Sequence, residues 1–151
     1  MKQRGVNLVG GDLFRTPNCV VHCISADVHM RKGIAGEIRR RFGGIRELVA
    51  QQNRVGQVGV TRMPHDSRGR PRYVFHLVTK RYFWEKPTVT SLGTTLQKLK
   101  VTLQYMGITE VSAPWLGTGR DRLPREVVWN LLCSIFNDTG IVVTIHDIDI
   151  I

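Results

Sequence analysis

Two spacings of apolar residues alternate along the chain, and they predict an alternation of strands and helices. Short β-branched runs bounded by Gly, Pro or Asn are typical of strands. Six such runs are Val6–Val9, Cys19–Ile24, Val58–Met63, Tyr73–Thr79, Val111–Leu116 and Ile141–Ile145. Apolar residues that return every three or four positions are typical of one helical face. Such segments are Ile34–Phe42, Leu92–Met106 and the stretch that has Pro124 at its first helical position, and a shorter helix is expected over Ile45–Asn53.

This alternation predicts an α/β fold in which helices cover both faces of one mostly parallel or mixed sheet. The turn-forming stretch His65–Pro71 joins two strands either as a hairpin or as a long connection. With 151 residues, of which 42% are hydrophobic, the chain fits a single domain over residues 1–151 that buries one core. No internal repeat or break in composition marks a second unit.

Charge adds a preference for phosphate-rich partners. The chain carries 22 Lys and Arg residues against 12 Asp and Glu, a net charge of +10, and such a surface attracts anions over long range. The charge alone does not say which partner. The N-terminus lacks the roughly 7–15-residue apolar stretch of a signal peptide, and no segment approaches the ~20 apolar residues of a membrane span. We therefore expect an intracellular protein, cytoplasmic or nuclear, with no membrane partner.

The spacing of cysteines and histidines gives no indication of a metal or a cofactor. Cys19 and Cys23 are four residues apart, which fits neither a C-x-x-C redox pair nor a usual zinc pair. Three cysteines cannot pair completely. The five histidines show no H-E-x-x-H or H-x₃₋₅-H spacing. Buried free thiols, no bound metal and no cofactor are therefore expected.

The predicted sheet also says where a ligand would bind, because ligands of open α/β sheets lie beyond the carboxyl ends of the strands. Four loops leave those ends: G-G-D-L-F, S-A-D-V-H-M-R-K-G-I-A, K-R-Y-F-W-E-K-P and G-T-G-R-D-R-L. Gly33 in the second loop, and Gly117 with Gly119 in the fourth, can offer backbone N–H groups to an anion near a positive helix end. Neither loop is a Walker A sequence, and either turn alone is also a common structural feature. Together the two loops predict a diphosphate ligand.

Asp12, directly after the first strand, indicates what the diphosphate carries. A carboxylate there would repel a phosphate but can accept a hydrogen bond from an exocyclic amine such as that of adenine. The alternative is that Asp12 caps a helix or turn. With the two glycine loops, Asp12 predicts an adenosine diphosphate moiety across the strand ends. Phe83 or Trp84 can stack on a base or line a ribose pocket, or can instead make core contacts.

Six stretches of the chain together carry a family resemblance: V-G-G-D-L-F, H-C-I-S-A-D-V-H-M-R-K-G-I-A, R-R-F-G-G-I-R-E-L, H-L-V-T-K-R, K-P-T and G-T-G-R-D-R-L. In this order and spacing they resemble the macrodomain family, and within it the terminal ADP-ribose protein glycohydrolase branch. The resemblance runs from about Val6 to the last strand. It implies a three-layer α/β/α sandwich around a mixed central sheet. It also implies ADP-ribose as the ligand and ADP-ribosylated protein or nucleic acid as the partner, and we expect a monomer.

The resemblance also implies a role for each part of the site. The implied substrate-binding residues are Asp12, Leu13, His22, Ser25, Gly33, Ile34, Ala35, Leu116, Gly117, Thr118, Gly119 and Arg120. Of these, Asp12 would meet the adenine, and the two glycine loops would hold the diphosphate. In this branch a lysine after the fourth strand and an aspartate in the fourth loop carry the chemistry. The matching residues are Lys80, as a nucleophile toward C1″ of the distal ribose, and Asp121, which would move protons.

Three departures from the family narrow the function. Arg31 and Lys32 stand where relatives tend to have a glycine, and Ile24–Asp27 replaces the N-A-A-N-like stretch of the common mono-ADP-ribosyl hydrolases. The paired glutamates of the poly-ADP-ribose glycohydrolases are missing. We therefore expect a hydrolase that removes ADP-ribose from a carboxylate ester on protein, from a nucleic-acid base or from an acetyl ester. The alternatives are a module that reads ADP-ribose without cleaving it and a basic nucleic-acid-binding domain.

Overall fold

The computed structural model of the chain describes residues 5–118 and 123–150. Within them, the strands are β1 (Val6–Gly10), β2 (Cys19–Ser25), β3 (Val58–Met63), β4 (Arg72–Lys80), β5 (Glu110–Ala113) and β6 (Val142–Asp147). The helices are α1 (Gly33–Phe42), α2 (Ile45–Ala50), α3 (Val89–Met106) and α4 (Arg125–Phe136), with a short 3-10 helix at Leu13–Arg15. None of the helices in these two ranges has both the length and the apolar character that a membrane crossing requires.

The six strands form one mixed sheet. Their order is β1-β6-β5-β2-β4-β3, and every neighbouring pair is parallel except β3 and β4, which pair antiparallel. The stretch His65–Pro71 is therefore the connection of a hairpin. Because β2 lies between β5 and β4, three parallel strands end side by side at one edge of the sheet.

Helices cover both faces, which confirms the three-layer α/β/α sandwich. On one face α3 and α4 pack on alternate residues of the central strands, among them the fully buried Val21 and Phe75. On the other face α1 and α2 pack on the intervening residues, among them Val20 and Val78. The period of two along each strand sends neighbouring side chains to opposite faces, so the continuous apolar runs of β2 and β4 serve two cores.

Two predicted elements end earlier than their apolar pattern indicates. The strand predicted to reach Leu116 ends at Ala113, because Pro114 has no N–H to donate to the ladder and the chain leaves the sheet there. The helix predicted to reach Asn53 ends at Ala50. There the side chain of Gln51 turns to the backbone of Val60, donating to its O at 2.7 Å and accepting from its N at 3.0 Å.

Two helix starts also differ from the prediction. Helix α3 begins at Val89 rather than Leu92 because Thr88 and Ser91 form a capping box. Each side chain accepts from the other's backbone N–H at 3.0 Å, which satisfies two N–H groups that the helix leaves unpaired. Pro124, predicted at the first helical position of α4, lies at the N-cap with an extended backbone.

We predict that Leu96→Ala destabilises the fold by about 2–5 kcal/mol, as expected for deleting a fully buried leucine side chain. Leu96 has no exposed surface and belongs to the core between α3 and the sheet. Urea unfolding at unchanged m-value measures the loss. The neighbouring exposed residue supplies the control, because Gln97→Ala should stay within about 0.5 kcal/mol of the original chain. Equal midpoints for the two variants would contradict the assigned core.

Candidate functional site

A cavity of about 460 Å³ opens where β2, β4 and β5 end and α1 begins. Its walls come from three of the four loops predicted to leave strand ends: those after β2, β4 and β5. The predicted site residues that line it are His22, Ser25, Gly33, Ile34, Ala35, Lys80, Leu116 and Gly117. These residues lie far apart in sequence, and the parallel pairing of the strands brings them together.

Other predicted site residues lie beside this cavity or outside the described part of the chain. Asp12 borders a separate groove of about 470 Å³ over β1, β5 and β6, and its Oδ1 accepts from the N–H of Phe14 at 2.9 Å. The capping role considered for Asp12 is therefore present in the structure. The Leu13 side chain is buried in the core under α1, and Thr118 follows directly on the cavity wall. Gly119, Arg120 and Asp121 lie outside the described residues.

The amino end of α1 faces the cavity. Gly33, Ile34 and Ala35 are its first three residues and all line the space. The N–H groups of a first helical turn have no partner within the helix, and the helix dipole makes this end positive. The N-cap residue, Lys32, makes no side-chain cap hydrogen bond to them. A helix start of this kind is suited to bind a phosphate.

Two glycines allow the chain to follow these walls. A Cβ on Gly36 would lie 2.9 Å from the backbone carbon of Arg31, so the loop after β2 can fold back onto α1 only because that side chain is absent. Gly117 has φ +68°, and a Cβ there would lie 2.9 Å from Leu123. The positive φ favours glycine at this position, whereas the flexible end of the Leu123 side chain could move to relieve the contact.

The charges around the cavity are of one sign. Arg31, Lys32 and Lys80 all line it, and none of the described lining residues is an aspartate or a glutamate. Arg31 and Lys32 are exposed, so each can reach toward a bound anion. The positive charge of these side chains favours a negatively charged ligand in the cavity.

Lys80 is fixed at the sheet edge by its backbone. It is the last residue of β4 and pairs with Ser25 across a shift in register, and its carbonyl accepts from the N–H of Ala26 at 2.8 Å. The Ser25 hydroxyl donates to Asp27, whose other oxygen accepts from the N–H of Phe83 at 3.2 Å. The bonds made by Ala26 and Phe83 tie the loops after β2 and β4 together beside Lys80.

A buried chain of hydrogen bonds runs beneath the cavity. His22, a lining residue, shares a 2.7 Å hydrogen bond from Nε2 to Nδ1 of His76, and His76 Nε2 lies 2.8 Å from the hydroxyl of Thr61. Burial lowers the pKa of His22 well below its usual range, with a further contribution from His76, and burial lowers the pKa of His76 to about 3. Both rings are therefore neutral at physiological pH, and the floor of the site carries no charge.

Sequence reasoning missed the residues that support one wall. Trp115 lines the cavity, and its Nε1 donates to Oδ2 of Asp147 at 3.1 Å, while Arg125 binds the same oxygen at 3.3 Å. The pKa of Asp147 is lowered, first by the N–H of Asp149 and then by Trp115. No motif marks this cluster, because pairing of β5 with β6 brings its members together.

His29 is a second residue that the sequence did not single out. Its ring stacks on Phe83, with centroids 3.7 Å apart and planes 10° apart, and both line the cavity. Phe83 thus lies in the cavity wall, and its stacking on a base or its place in a ribose pocket stays a prediction.

Comparison with known proteins identifies the fold and the family. No family model matches the chain. The macrodomain of Thermus aquaticus DarG has the same fold, with a TM-score of 0.80 at 20% identity over 94% of this chain and 97% of that one. ADP-ribose glycohydrolase OARD1 of Bos taurus is 37% identical over 143 residues, which covers 93% of this chain and 90% of the relative. The chain belongs to the macrodomain family.

Within the family, this macrodomain fits the branch of the terminal ADP-ribose glycohydrolases, as its motifs predict. A further structure of the same fold is Thermosipho africanus DarTG in complex with ADP-ribose, with a TM-score of 0.77 at 18% identity over 93% of this macrodomain and 41% of that chain. The three-layer architecture is thus shared with macrodomains of low sequence identity.

We predict that the buried His76 makes the stability of this macrodomain fall on acidification. Its folded pKa of about 3 lies below the unfolded value of 6.5, so the unfolded state binds the proton first. The neutral His76 ring contributes its full share to the free energy of unfolding above pH 6.5, and this share is lost as the pH falls toward 3. Between pH 7 and 5 the loss from this one residue should be about 2 kcal/mol.

Urea unfolding at several pH values measures this slope. The glutamine of His76→Gln keeps a donor and an acceptor between His22 and Thr61. This variant should lose the part of the pH dependence of unfolding that comes from His76. His65→Gln, in the exposed β3–β4 connection, is the matched control for the loss of one imidazole. A His76→Gln variant with the original pH dependence would show that this residue is not the source.

Proposed function

We propose that this macrodomain is an ADP-ribosyl hydrolase that binds ADP-ribose in the 460 Å³ cavity and releases it from a modified acceptor. The observation that carries the proposal is the meeting of three features in one cavity: the amino end of α1, the Gly117 turn and the Lys80 side chain. The volume lies in the range of about 300–1,000 Å³ that is usual for small-ligand sites. The relative's name, ADP-ribose glycohydrolase, supports the same function.

The diphosphate is expected at the amino end of α1. The N–H groups of the first turn of α1 provide hydrogen bonds there, and the cations Arg31 and Lys32 provide positive charge. Arg31 and Lys32 replace a glycine of the family pattern, so side-chain charge here supplements the backbone contacts. The adenosine would extend toward Asp12, whose carboxylate caps the 3-10 helix and retains acceptor capacity for an adenine amine.

The chemistry is expected at Lys80. Its amine would attack C1″ of the distal ribose, either after ring opening has released the acceptor and left an aldehyde, or with direct loss of the acceptor. The acceptor leaves with a proton in both routes. The covalent imine then forms by loss of water in the first route and by opening of the ribose ring in the second. Water then hydrolyses the imine, which frees ADP-ribose and restores the amine. Asp121 would move the protons for both steps, a role that rests on the family pattern.

A module that reads ADP-ribose without cleaving it is the main alternative. Release of ADP-ribose in a single turnover separates the two functions. The acceptor is a protein carboxylate ester, an acetyl ester or a nucleic-acid base. An intracellular location and a monomeric state remain predictions from the sequence.

We predict that ADP-ribose raises the melting temperature more than AMP or ribose 5-phosphate does. A ligand that binds only the native state stabilises it by about 2.7 kcal/mol at 100 times its Kd, and the fragments lack the full set of contacts. Thermal shift at matched concentrations measures the difference. Equal shifts for AMP and ADP-ribose would contradict a site for the diphosphate and the distal ribose.

We predict that Lys80→Ala abolishes turnover but keeps ADP-ribose binding within about tenfold, because the adenine and diphosphate contacts lie elsewhere. Borohydride reduction during turnover should fix ADP-ribose on the peptide that holds Lys80 in the original chain and on no peptide of the variant. Lys80→Arg, which keeps the charge without a comparable nucleophile, should be equally inactive.

Lys86→Ala is the control, because Lys86 is an exposed lysine of the same loop that does not line the cavity. It should keep both the adduct and the original rate. Cleavage by Lys80→Ala at the original rate would overturn the lysine mechanism and leave direct activation of water as the route.

A further inference from the structure

A tight turn follows the end of β2, where the chain leaves the sheet toward α1. The N–H of Val28 donates to the carbonyl of Ser25 at 3.0 Å, which closes the turn over residues 25–28. Val28 has φ +54°, a left-handed backbone that is an outlier for a β-branched residue. Such strain persists only where the surrounding contacts impose one geometry, and it clusters at functional sites. The strained turn places Asp27, the residue before Val28, against two neighbouring groups.

Asp27 uses both of its carboxylate oxygens on those groups. Its Oδ1 accepts from the hydroxyl of Ser25, and its Oδ2 accepts from the N–H of Phe83 at 3.2 Å. The N–H of Asp27 also donates to the carbonyl of Arg81 at 3.2 Å. The loop after β4 therefore fixes the carboxylate, and the carboxylate fixes the direction of the Ser25 O–H bond.

The bond to Asp27 decides what Ser25 can offer to a ligand. A serine hydroxyl has one proton to donate and two lone pairs that accept, whereas an ionised carboxylate can only accept. The single proton of Ser25 therefore lies toward Asp27. Ser25 lines the cavity, so its oxygen acts there as an acceptor. A phosphate oxygen also only accepts and gains nothing at this position, but a ligand hydroxyl can donate to it.

Ser25 lies beside Lys80 at the sheet edge. The two residues are register partners of β2 and β4, and both line the cavity. Neighbouring strands lie about 4.8 Å apart, so residues in register are side by side. Under the proposed function, C1″ of the distal ribose lies at Lys80. The hydroxyls of that ribose are then the ligand donors within reach of Ser25.

We propose that Asp27 is a positioning residue for the distal ribose, because it holds the Ser25 hydroxyl as an acceptor for a ribose hydroxyl. The proposal rests on the proposed function and adds to it the contact that sets C1″ at Lys80. Asp27 is not among the residues that line the cavity, so it acts through Ser25 and does not touch the ligand.

The alternative is that Asp27 only stabilises the turn after β2. Its loss would then disturb the cavity wall as a whole and would weaken every ligand alike. A role through the Ser25 hydroxyl makes a narrower prediction, since only ligands that contain the distal ribose can lose the contact. The selectivity of binding therefore separates the two roles.

ADP and ADP-ribose form the matched pair of probes, because ADP ends at the diphosphate and lacks the distal ribose. Isothermal titration calorimetry measures both affinities for each variant. Asp27→Ala and Ser25→Ala should each weaken ADP-ribose binding by about two- to 12-fold, which corresponds to one hydrogen bond worth ~0.5–1.5 kcal/mol. Binding of ADP should not change. Asp27→Asn keeps an acceptor for the Ser25 hydroxyl and should recover part of the loss.

A double-mutant cycle tests whether Asp27 acts through Ser25. In the Ser25→Ala background, Asp27→Ala should cost no further ADP-ribose affinity, because the hydroxyl that it orients is absent. Asp66→Ala is the matched control. Asp66 also accepts from backbone N–H groups of its own turn, those of Arg68 at 2.9 Å and Arg70 at 2.8 Å, but it does not line the cavity. This variant should leave both affinities unchanged.

Two results would overturn the positioning role. One is an equal change of ADP and ADP-ribose affinity in Asp27→Ala, including no change in either. The other is a loss from Asp27→Ala that persists in the Ser25→Ala background, because Asp27 would then act by another route.

Cleavage of an ADP-ribosylated peptide distinguishes failure of this proposal from failure of the proposed function. If the original chain cleaves the peptide but its selectivity ignores Asp27, the hydrolase assignment stands and the positioning role fails. If it cleaves nothing but its preference for ADP-ribose depends on Asp27 and Ser25 as a unit, the chain is a reader module and the positioning role stands. If it neither cleaves the peptide nor distinguishes ADP-ribose from ADP, the proposed function fails, and this proposal fails with it.

Discussion

The parallel pairing of β2 with both β4 and β5 is the constraint on which the site depends. Because these three strands run in the same direction and lie side by side, their carboxyl ends reach one edge, and the loops that follow must share the space beyond it. The pairing is held from both sides, since Val20 and Val21 of β2 are fully buried against opposite helix layers. A shift of one residue would exchange these faces and also displace Lys80 from the mouth of the cavity.

The cavity combines a cationic mouth with a neutral floor. Arg31, Lys32 and Lys80 supply the charge at the rim, where water and a bound anion can solvate them. Below them, the His22–His76 pair stays uncharged because burial removes the water that an imidazolium needs. The hydrogen bonds between His22, His76 and Thr61 therefore link three neighbouring strands without placing a charge beneath the cavity.

The segment from Lys80 to Trp84 runs from the proposed nucleophile to the mouth of the cavity. Lys80 is the last residue of β4, Phe83 lines the cavity beside it, and Trp84 contacts the ring of Phe83. The N–H of Phe83 donates to Asp27, and the carbonyl of Lys80 accepts from the N–H of Ala26, so the loop after β2 positions both residues.

The sequence by itself determined the class of the fold and the loops that build the site. Apolar spacing is a local property: a period of two or of three to four is readable wherever a strand or helix packs on a core, and it located every strand and α-helix described above. It failed at ends such as Ala113 and Val89, where a proline or a capping pair decides. Motifs such as G-I-A and T-K-R predicted two walls of the cavity, because the backbone freedom of glycine and the charge of lysine and arginine belong to the residues themselves. Only the tertiary structure decided that His29 stacks on Phe83, that His76 supports His22 and that Asp147 holds Trp115. Those partners come from different strands and loops, and no local pattern records which side chains a sheet will bring within hydrogen-bonding distance.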